Sequence, residues 1–523
     1  MKSKDFDMTK PNLVFIMTDQ QRFDALGANG NARIQTPNLD RLAASGANVQ
    51  NYHTNCPVCV PSRCTLFTGR YPHSHRVREN HNFLEDGREI HLFRVLKQAG
   101  YALGYVGKNH LLEPGEFANF DFVDQQDEFK SEPEQKRLAA HYESRRRELS
   151  EAGHPELWRA GQFHDLPEEC TRTHRTAQGA LRFLADRPED KPFCLCVSFS
   201  DPHVPHLAPR RLEPLYPLED MELYPRREGE LAERARRFHV KWRAQKADMA
   251  SEADMRRYMA IYYAMVTYVD EMVGHILDRL REQGLEENTL VVFTSDHGDF
   301  CFEHGMYKKD LVLVESILHV PLLLSWSGHI APQKLSDTLV EEVDVMPTIL
   351  ELMGIDSPFG VQGTSLAPCL RGEATAHKDA VFAEICPPWL YSQFPDYESF
   401  ETHHGGRAAT PMNVPGDFTK AIREEQWRYI WYGTGEEELY DLSRDPHELR
   451  NVAAEPSYAN ERARLKLRLL EWLALSEDPL DPLSIGQLQA EYGNWQGAFV
   501  MPRHQRYGPG WLKERFTPNP RQP

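Results

Sequence analysis

The stretch Cys59-Val60-Pro61-Ser62-Arg63-Cys64-Thr65-Leu66-Phe67-Thr68-Gly69-Arg70 concentrates groups that could do chemistry. Pro61 has a φ suited to a first helical turn and Ser62 is a favoured capping residue, so the segment reads as a turn entering a helix. Cys59 then falls just before the helix N-terminus, where unpaired N–H groups attract an anion. Arg63 and Arg70 add positive charge on the same side. The chemistry this suggests is that of an activated thiol beside an anion site; a buried structural cysteine is the plainer alternative.

Four apolar runs each deliver polar groups just past their ends. Leu13 to Met17 leads into Asp19 and Gln20, and Tyr101 to Val106 into Lys108 and His110. Phe193 to Phe199 leads into Asp201 and His203, and Leu290 to Thr294 into Asp296 and His297. Continuous apolar runs of this length read as buried parallel strands, whose C-terminal ends form the ligand edge of an open α/β sheet. Taken singly, Asp19 could be a helix cap and Gly-Lys-x-His a surface turn. Four such ends together predict one site on one sheet. Asp19, Asp296 and Gln20 offer hard oxygen atoms and His297 an imidazole, a set that suits Ca²⁺, Mg²⁺ or Mn²⁺.

The run C-x-P-S-R-x-x-L-x-T-G-R at Cys59 to Arg70 resembles the sulfatase signature, in the alkaline phosphatase superfamily, without a mismatch. The resemblance extends over about Asn12 to Ala454, with gaps in two charged segments. It implies that Cys59 is oxidised to formylglycine by a maturation enzyme, and that the hydrated aldehyde, a geminal diol, attacks sulfur. The resulting sulfate ester then collapses to aldehyde and sulfate. The same resemblance implies one divalent metal, Ca²⁺ ahead of Mn²⁺ or Mg²⁺, held by Asp19, Gln20, Asp296, His297 and the diol at Cys59. It further implies that Arg63 holds the diol, that Lys108 and Lys309 bind sulfate oxygens, and that His110 takes a proton from the free hydroxyl. By the same resemblance His203 would protonate the leaving alcohol. His206 competes with His203 for that role, and Lys308 with Lys309. Sulfatases usually carry aspartate where Gln20 stands and often asparagine where His297 stands. Asp-Gln and Asp-His pairs resemble a branch that includes phosphonate monoester hydrolases. The expected function is therefore hydrolysis of sulfate monoesters, carbohydrate sulfates among them. A phosphonate monoester or phosphodiester hydrolase is the second reading, and a non-catalytic anion-binding protein the third.

The elements that must position these groups follow the same grammar. Tyr258 to Leu280 carries apolar residues at helical spacing, as does Leu92 to Ala99. Val320 to Leu324 reads as a further strand and Val343 to Leu350 as a helix. Residues 124–190 and 208–256 are charged, with arginines at 145–147 and 234–243 interleaved with glutamates, and read as solvated insertions around the substrate mouth. Val381 to Ile385, Trp427 to Trp431 and Glu438 to Tyr440 read as strands and Ser457 to Ser476 as a helix. The predicted fold is α/β: a large mixed, mostly parallel sheet sandwiched by helices, with a smaller C-terminal antiparallel sheet plus helix. The predicted division is a catalytic domain at 1–375, a small α+β subdomain at 376–476 and a tail at 477–523. The tail reads as disordered or as an arm joining a homo-oligomer.

Lys and Arg number 60 against 78 Asp and Glu, a net charge of −18 that argues against nucleic-acid binding and requires a local cationic pocket for any anionic substrate. Met1 to Lys10 holds no apolar run and no stretch is long enough to span a bilayer, so a cytoplasmic protein without a membrane partner is expected. Nine cysteines, an odd number, fit a reducing compartment. Cys56-x-x-Cys59 has no matching second pair and is not read as a zinc site.

Overall fold

The computed structural model describes residues 10–80, 83–84, 89–125, 133–153, 157–245, 247–385 and 418–477. The expected tail after Glu477, and residues 81–82 and 85–88, lie outside the described residues.

The central strand Asn12–Asp19 is buried throughout and has neighbours on both sides. Around it runs an eight-stranded sheet in the order Gln333–Leu335, Ala47–Val49, Leu322–Ser325, Thr289–Ser295, Asn12–Asp19, Phe193–Pro202, Ala102–Gly107, Phe122–Gln125. All pairings are parallel except those of Leu322–Ser325, which runs antiparallel to both neighbours. Side-chain alternation along the central strand splits the core in two. Val14 and Ile16 face the layer built on Tyr262, Met265 and Val269; Leu13, Phe15 and Met17 face Leu66, Phe67 and Ile349. Helices thus cover both faces, as a parallel sheet requires.

On the first face lies the helix Glu252–Glu282, opened by a capping box in which Ser251 and Asp254 satisfy each other's backbone N–H groups. Arg172–Asp186 packs beside it, directly on Phe193–Pro202 and Ala102–Gly107. This corrects the reading of 124–190 as an insertion: its second half is a core crossover helix whose buried stripe includes Ala177, Ala180, Phe183 and Leu184. Up to Phe183 its buried positions are mostly small or polar residues between arginines, which hides the stripe. Pro133–Glu151 does match the expected solvated helix, with Arg145 and Arg146 paired to Glu148 and Glu143 on its surface. The segment 208–256 departs further. Arg234, Arg237 and Lys241 are buried rather than solvated.

The C-terminal sheet is an antiparallel meander, Ala380–Ile385, Thr419–Glu424, Trp427–Tyr432 and Glu437–Asp441. Its second strand escapes sequence reading because Ala421 and Ile422 are its only apolar residues, flanked by Lys420 and Arg423. The helix Ala459–Leu475 covers it, with Trp472 stacked on Phe382 at 4.7 Å. The sheet's other face packs on Cys56, Val58 and Leu313, just ahead of Cys59. Cys56 is therefore a core residue. Among the described residues no helix is long and apolar enough to cross a membrane.

Candidate active site

Cys59 is the first residue of the helix Cys59–Thr68, with Val58 as its cap, so the helix begins earlier than expected. Ser62 does not cap it. Its hydroxyl lies 2.7 Å from the Asp296 carbonyl and 2.6 Å from Glu342 Oε1, tying the helix to the end of strand Thr289–Ser295. Gly69 closes the helix at φ 64°, a left-handed turn that favours glycine. Arg70 turns away from Cys59 to Glu89, at 2.9 Å, and to the Gly360 carbonyl, so its expected contribution to the anion site fails.

The strand ends converge as predicted. Ligand atoms of Asp19, Cys59, Asp296 and His297 all lie within 4.8 Å of one another, and all four residues are buried. Arg63, fully buried, donates from Nη2 to Asp19 Oδ2 and from Nε to Asp296 Oδ2, each at 2.9 Å, and from Nη1 to Ser198 Oγ at 2.8 Å. Its donors thus go to the carboxylates rather than to Cys59. Lys108 Nζ lies 2.7 Å from Asp19 Oδ2. Lys309 Nζ touches both Cys59 Sγ and His297 Nε2 at 2.6 Å. Lys308 instead lies 5.2 Å over the Tyr307 ring, so the structure brings Lys309 and not its neighbour to Cys59.

His297 Nδ1 donates to the Gly298 carbonyl at 3.0 Å, which aims Nε2 toward Cys59, Asp19 and Asp296. Gln20 is held at φ 75° with its backbone N–H on Asp296 Oδ1 and its carbonyl on the Tyr262 hydroxyl. Its Nε2 donates to Asp299 Oδ2 at 2.5 Å, and Tyr258 donates to the same oxygen. Gln20 Oε1 is left buried with no hydrogen-bond partner among the described residues. Two carboxylates, an imidazole nitrogen and an orphaned amide oxygen fit a divalent cation. A second donor group, His53, Glu315 and His319, is less suited. Arg428 and Arg423 engage its carboxylate, and its imidazoles stack at 4.8 Å.

The electrostatics are those of a concentrated, compensated site. Burial and Asp19 oppose ionisation of the Cys59 thiol, but Lys309, Lys108 and His297 outweigh them and hold it well below its ordinary value. Burial likewise opposes the Asp19 charge, and Lys108, His203, Lys309 and Arg63 overcome it. At Asp296 burial, with Asp19 and Cys59 nearby, raises the carboxyl. His203 is half-buried with Nδ1 on the Val204 carbonyl at 2.7 Å. Burial, Lys108 and Lys309 push its pKa well down against the pull of Asp19 and Cys59, placing it in the same field. His206 packs edge-on against Tyr258 at 4.4 Å, a core role. His110 sits half-buried at φ 39° with Nδ1 unbonded, and no hydrogen bond among the described residues ties it to Cys59.

Asn80, readable in the sequence only as one of several polar residues after the motif, reaches the Cys59 turn. Its Oδ1 accepts from Val60 N at 3.0 Å and its Nδ2 lies 3.9 Å from Cys59 Sγ, so it caps the first turn at the reactive residue. Sequence reasoning missed Asp299, which orients Gln20; the Asp-His-Gly-Asp run at 296–299 was the available signal.

A sulfatase family profile matches residues 11–355, and an N-sulphoglucosamine sulphohydrolase C-terminal profile matches residues 302–474. The chain belongs to the sulfatase family. It is similar to an N-acetylglucosamine-6-O-sulfatase of Bacteroides thetaiotaomicron, 26% identical with 88% of this chain and 86% of that protein covered. It is similar to an arylsulfatase of Clostridium perfringens, also 26% identical, covering 90% of this chain and 95% of that one. The solved phosphonate monoester hydrolase of Agrobacterium radiobacter superposes with a TM-score of 0.72 at 26% identity, over 89% of this chain and 96% of that one. The chain is thus a sulfuric ester hydrolase by family, with its strand-end residues gathered around Cys59.

Proposed function

We propose that this sulfatase hydrolyses sulfate monoesters, carbohydrate sulfates among them, through a formylglycine made from Cys59 by a maturation enzyme. The observation that carries the reading is the position of Cys59 itself. It sits at a helix N-terminus, against Lys309 and beside two carboxylates and an imidazole. Hydrated formylglycine supplies a hydroxyl for attack and a second one whose deprotonation releases sulfate, and Cys59 Sγ marks where one of those oxygens stands. Asp19, Gln20, Asp296 and His297 would hold a divalent metal, Ca²⁺ first and Mn²⁺ or Mg²⁺ as alternatives. The metal supplies Lewis-acid polarisation of the ester and lowers the pKa of the nucleophile.

The chain's own groups do the rest. Lys309 and Lys108 neutralise charge developing on the sulfuryl oxygens. Arg63 fixes the two carboxylates in register and is assigned the holding of the diol beside them. Asn80 and the helix N-terminus orient residue 59. His203 donates a proton from Nε2 to the leaving oxygen, and an anionic ester beside it raises its pKa toward the working range. His110 is assigned the proton removal that ends the cycle. A cytoplasmic setting is proposed with it, on the odd cysteine count of the sequence.

The test is a mass measurement on the Cys59 peptide after co-expression with a formylglycine-generating enzyme, joined to turnover of 4-nitrophenyl sulfate. Conversion with turnover supports the reading. Full turnover by Cys59→Ala would sink it.

A second reading, phosphonate monoester hydrolysis, is favoured by Gln20 and His297 in the donor set and by the fold match to the Agrobacterium enzyme. The ratio of kcat/KM on 4-nitrophenyl sulfate to that on a phenylphosphonate monoester decides between them. A ratio well above one keeps the sulfate assignment.

A further inference from the structure

We propose that Lys241 and Gln245 are positioning residues for Lys309, acting as a clamp on residues 307–310. Both lie on the helix Arg236–Gln245, inside the segment whose charges look solvated in the sequence. Lys241 Nζ pairs with Asp310 Oδ1 at 3.1 Å, and neither side chain is exposed. Gln245 donates from Nε2 to Asp310 Oδ2 at 3.3 Å and accepts at Oε1 from the Tyr307 backbone N–H at 2.8 Å. One amide therefore grips the chain on both sides of Lys308 and Lys309. Between those grips Lys308 is held at φ 58°, a costly conformation for a lysine. Its N–H donates to the Tyr258 hydroxyl and its carbonyl accepts from Phe300 N.

The electrostatic consequence bears on the reaction. Asp310 carries a carboxylate with no solvent contact, immediately next to Lys309 in the chain. Lys241 gives that carboxylate its own cation. Without it, the ammonium of Lys309 becomes the adjacent countercharge for Asp310 and is drawn away from Cys59 Sγ and His297 Nε2. Lys308 already feels the Asp310 charge, so the two lysines and the carboxylate share one field. Folding does not depend on this pair alone. Phe238, on the same helix, packs with Phe300, Met306, Val312 and Ile317, and Trp242 covers that cluster. Removing Lys241 alone strands a buried carboxylate and costs stability as well, so unfolding is read beside the rate.

The inference rests on the proposed role of Lys309, and a double-mutant cycle separates the two. The full-length matured enzyme is measured on 4-nitrophenyl sulfate as wild type, Lys241→Met, Lys309→Ala and the double variant, with urea unfolding alongside. Lys241→Met should lower kcat/KM by about 10²-fold, the cost of misplacing a catalytic group by about 1 Å. It should cost nothing further in the Lys309→Ala background. Adding Asp310→Asn to Lys241→Met should restore most of the rate, because the stranded charge is gone. Equal losses in both backgrounds, or no loss at all, would overturn the clamp. Full activity in Lys309→Ala would overturn the underlying role of Lys309 itself. Should Lys241→Met unfold, Gln245→Leu carries the same cycle, since it removes both grips and leaves the ion pair intact.

Discussion

His203 faces two opposing demands. To protonate a leaving alcohol it must carry a proton at Nε2, yet burial and the ammonium groups of Lys108 and Lys309 hold its pKa well below the ordinary imidazole value. Its Nδ1–H is committed to the Val204 carbonyl, so only Nε2 can serve. The charge of a bound ester resolves the conflict by partly cancelling the lysines. His203→Ala should then cost about 10²–10⁴-fold on alkyl or sugar sulfates, whose leaving groups need a proton, and little on 4-nitrophenyl sulfate. Steady-state rates on the two substrate types decide this, and an equal loss on both would remove the general-acid role. Residue types at this scale were legible in the sequence: Cys59, Asp19, Lys108, Asp296, His297 and Lys309 all reach one site. What each side chain touches was not. Arg63 and Arg70 are equivalent cations in the motif, but one bridges two carboxylates and the other pairs with Glu89.

At the scale of elements, two connections set the site's precision. Strand Ala102–Gly107 ends in Gly107 at φ 92°, and a Cβ there would stand 2.0 Å from the Ser198 carbonyl oxygen. The Lys108 N–H donates to that same carbonyl at 2.8 Å. Gly107→Ala should therefore destabilise the fold by about 2 kcal/mol or more and displace Lys108. Urea unfolding and kcat/KM should fall together. The helix Cys59–Thr68 is tied down by Glu342, which is fully buried and reaches Ser62, Thr54 and the Asn55 N–H. Burial raises its carboxyl well above the usual value of 4.5. A folded-state pKa above the unfolded one stabilises fully below the unfolded value and loses that contribution as pH rises through the folded one. Wild-type stability should decline from pH 4.5 upward on this account. Glu342→Gln should flatten the decline, so that the variant gains on wild type as pH rises. Denaturant midpoints from pH 5 to 9 would show it, and parallel curves would refute it.

For the whole molecule, the two sheets meet behind the reactive residue. The Asn55 side chain donates to the Phe382 carbonyl and the Glu384 N–H donates to the Asn55 carbonyl, so the C-terminal meander buttresses the approach to Cys59. Asp19 and Asp296 are both fully buried at the junction of four strands, and a cation bound there is bound by the folded state alone. Mass action then predicts a stabilisation of about 2.7 kcal/mol at a hundredfold excess over Kd. Exhaustive chelation should lower the midpoint of thermal unfolding and abolish turnover, and Ca²⁺ or Mn²⁺ should restore both. An unchanged midpoint with full activity would refute the donor set.

The sequence by itself determined the fold class and most of the donor set. A strand buried on both faces must be continuously apolar, and its polar neighbours must then stand at its end. That is why Asp19, Lys108, His203 and Asp296 were readable from the runs before them. Tertiary structure alone decided which charges were solvated and which were buried. Helices such as Arg172–Asp186 and Arg236–Gln245 carry arginine and lysine on faces whose burial depends on partners far along the chain. For Lys241 that partner is Asp310; Arg234, just ahead of the second helix, pairs with Glu438 in the same way. For Lys309, which the family resemblance already favoured over Lys308, tertiary structure supplied the contact with Cys59, beside a left-handed turn at Lys308. Local patterns encode periodicity and turn chemistry, whereas the pairing of distant charges exists only once the sheet has brought its strand ends together.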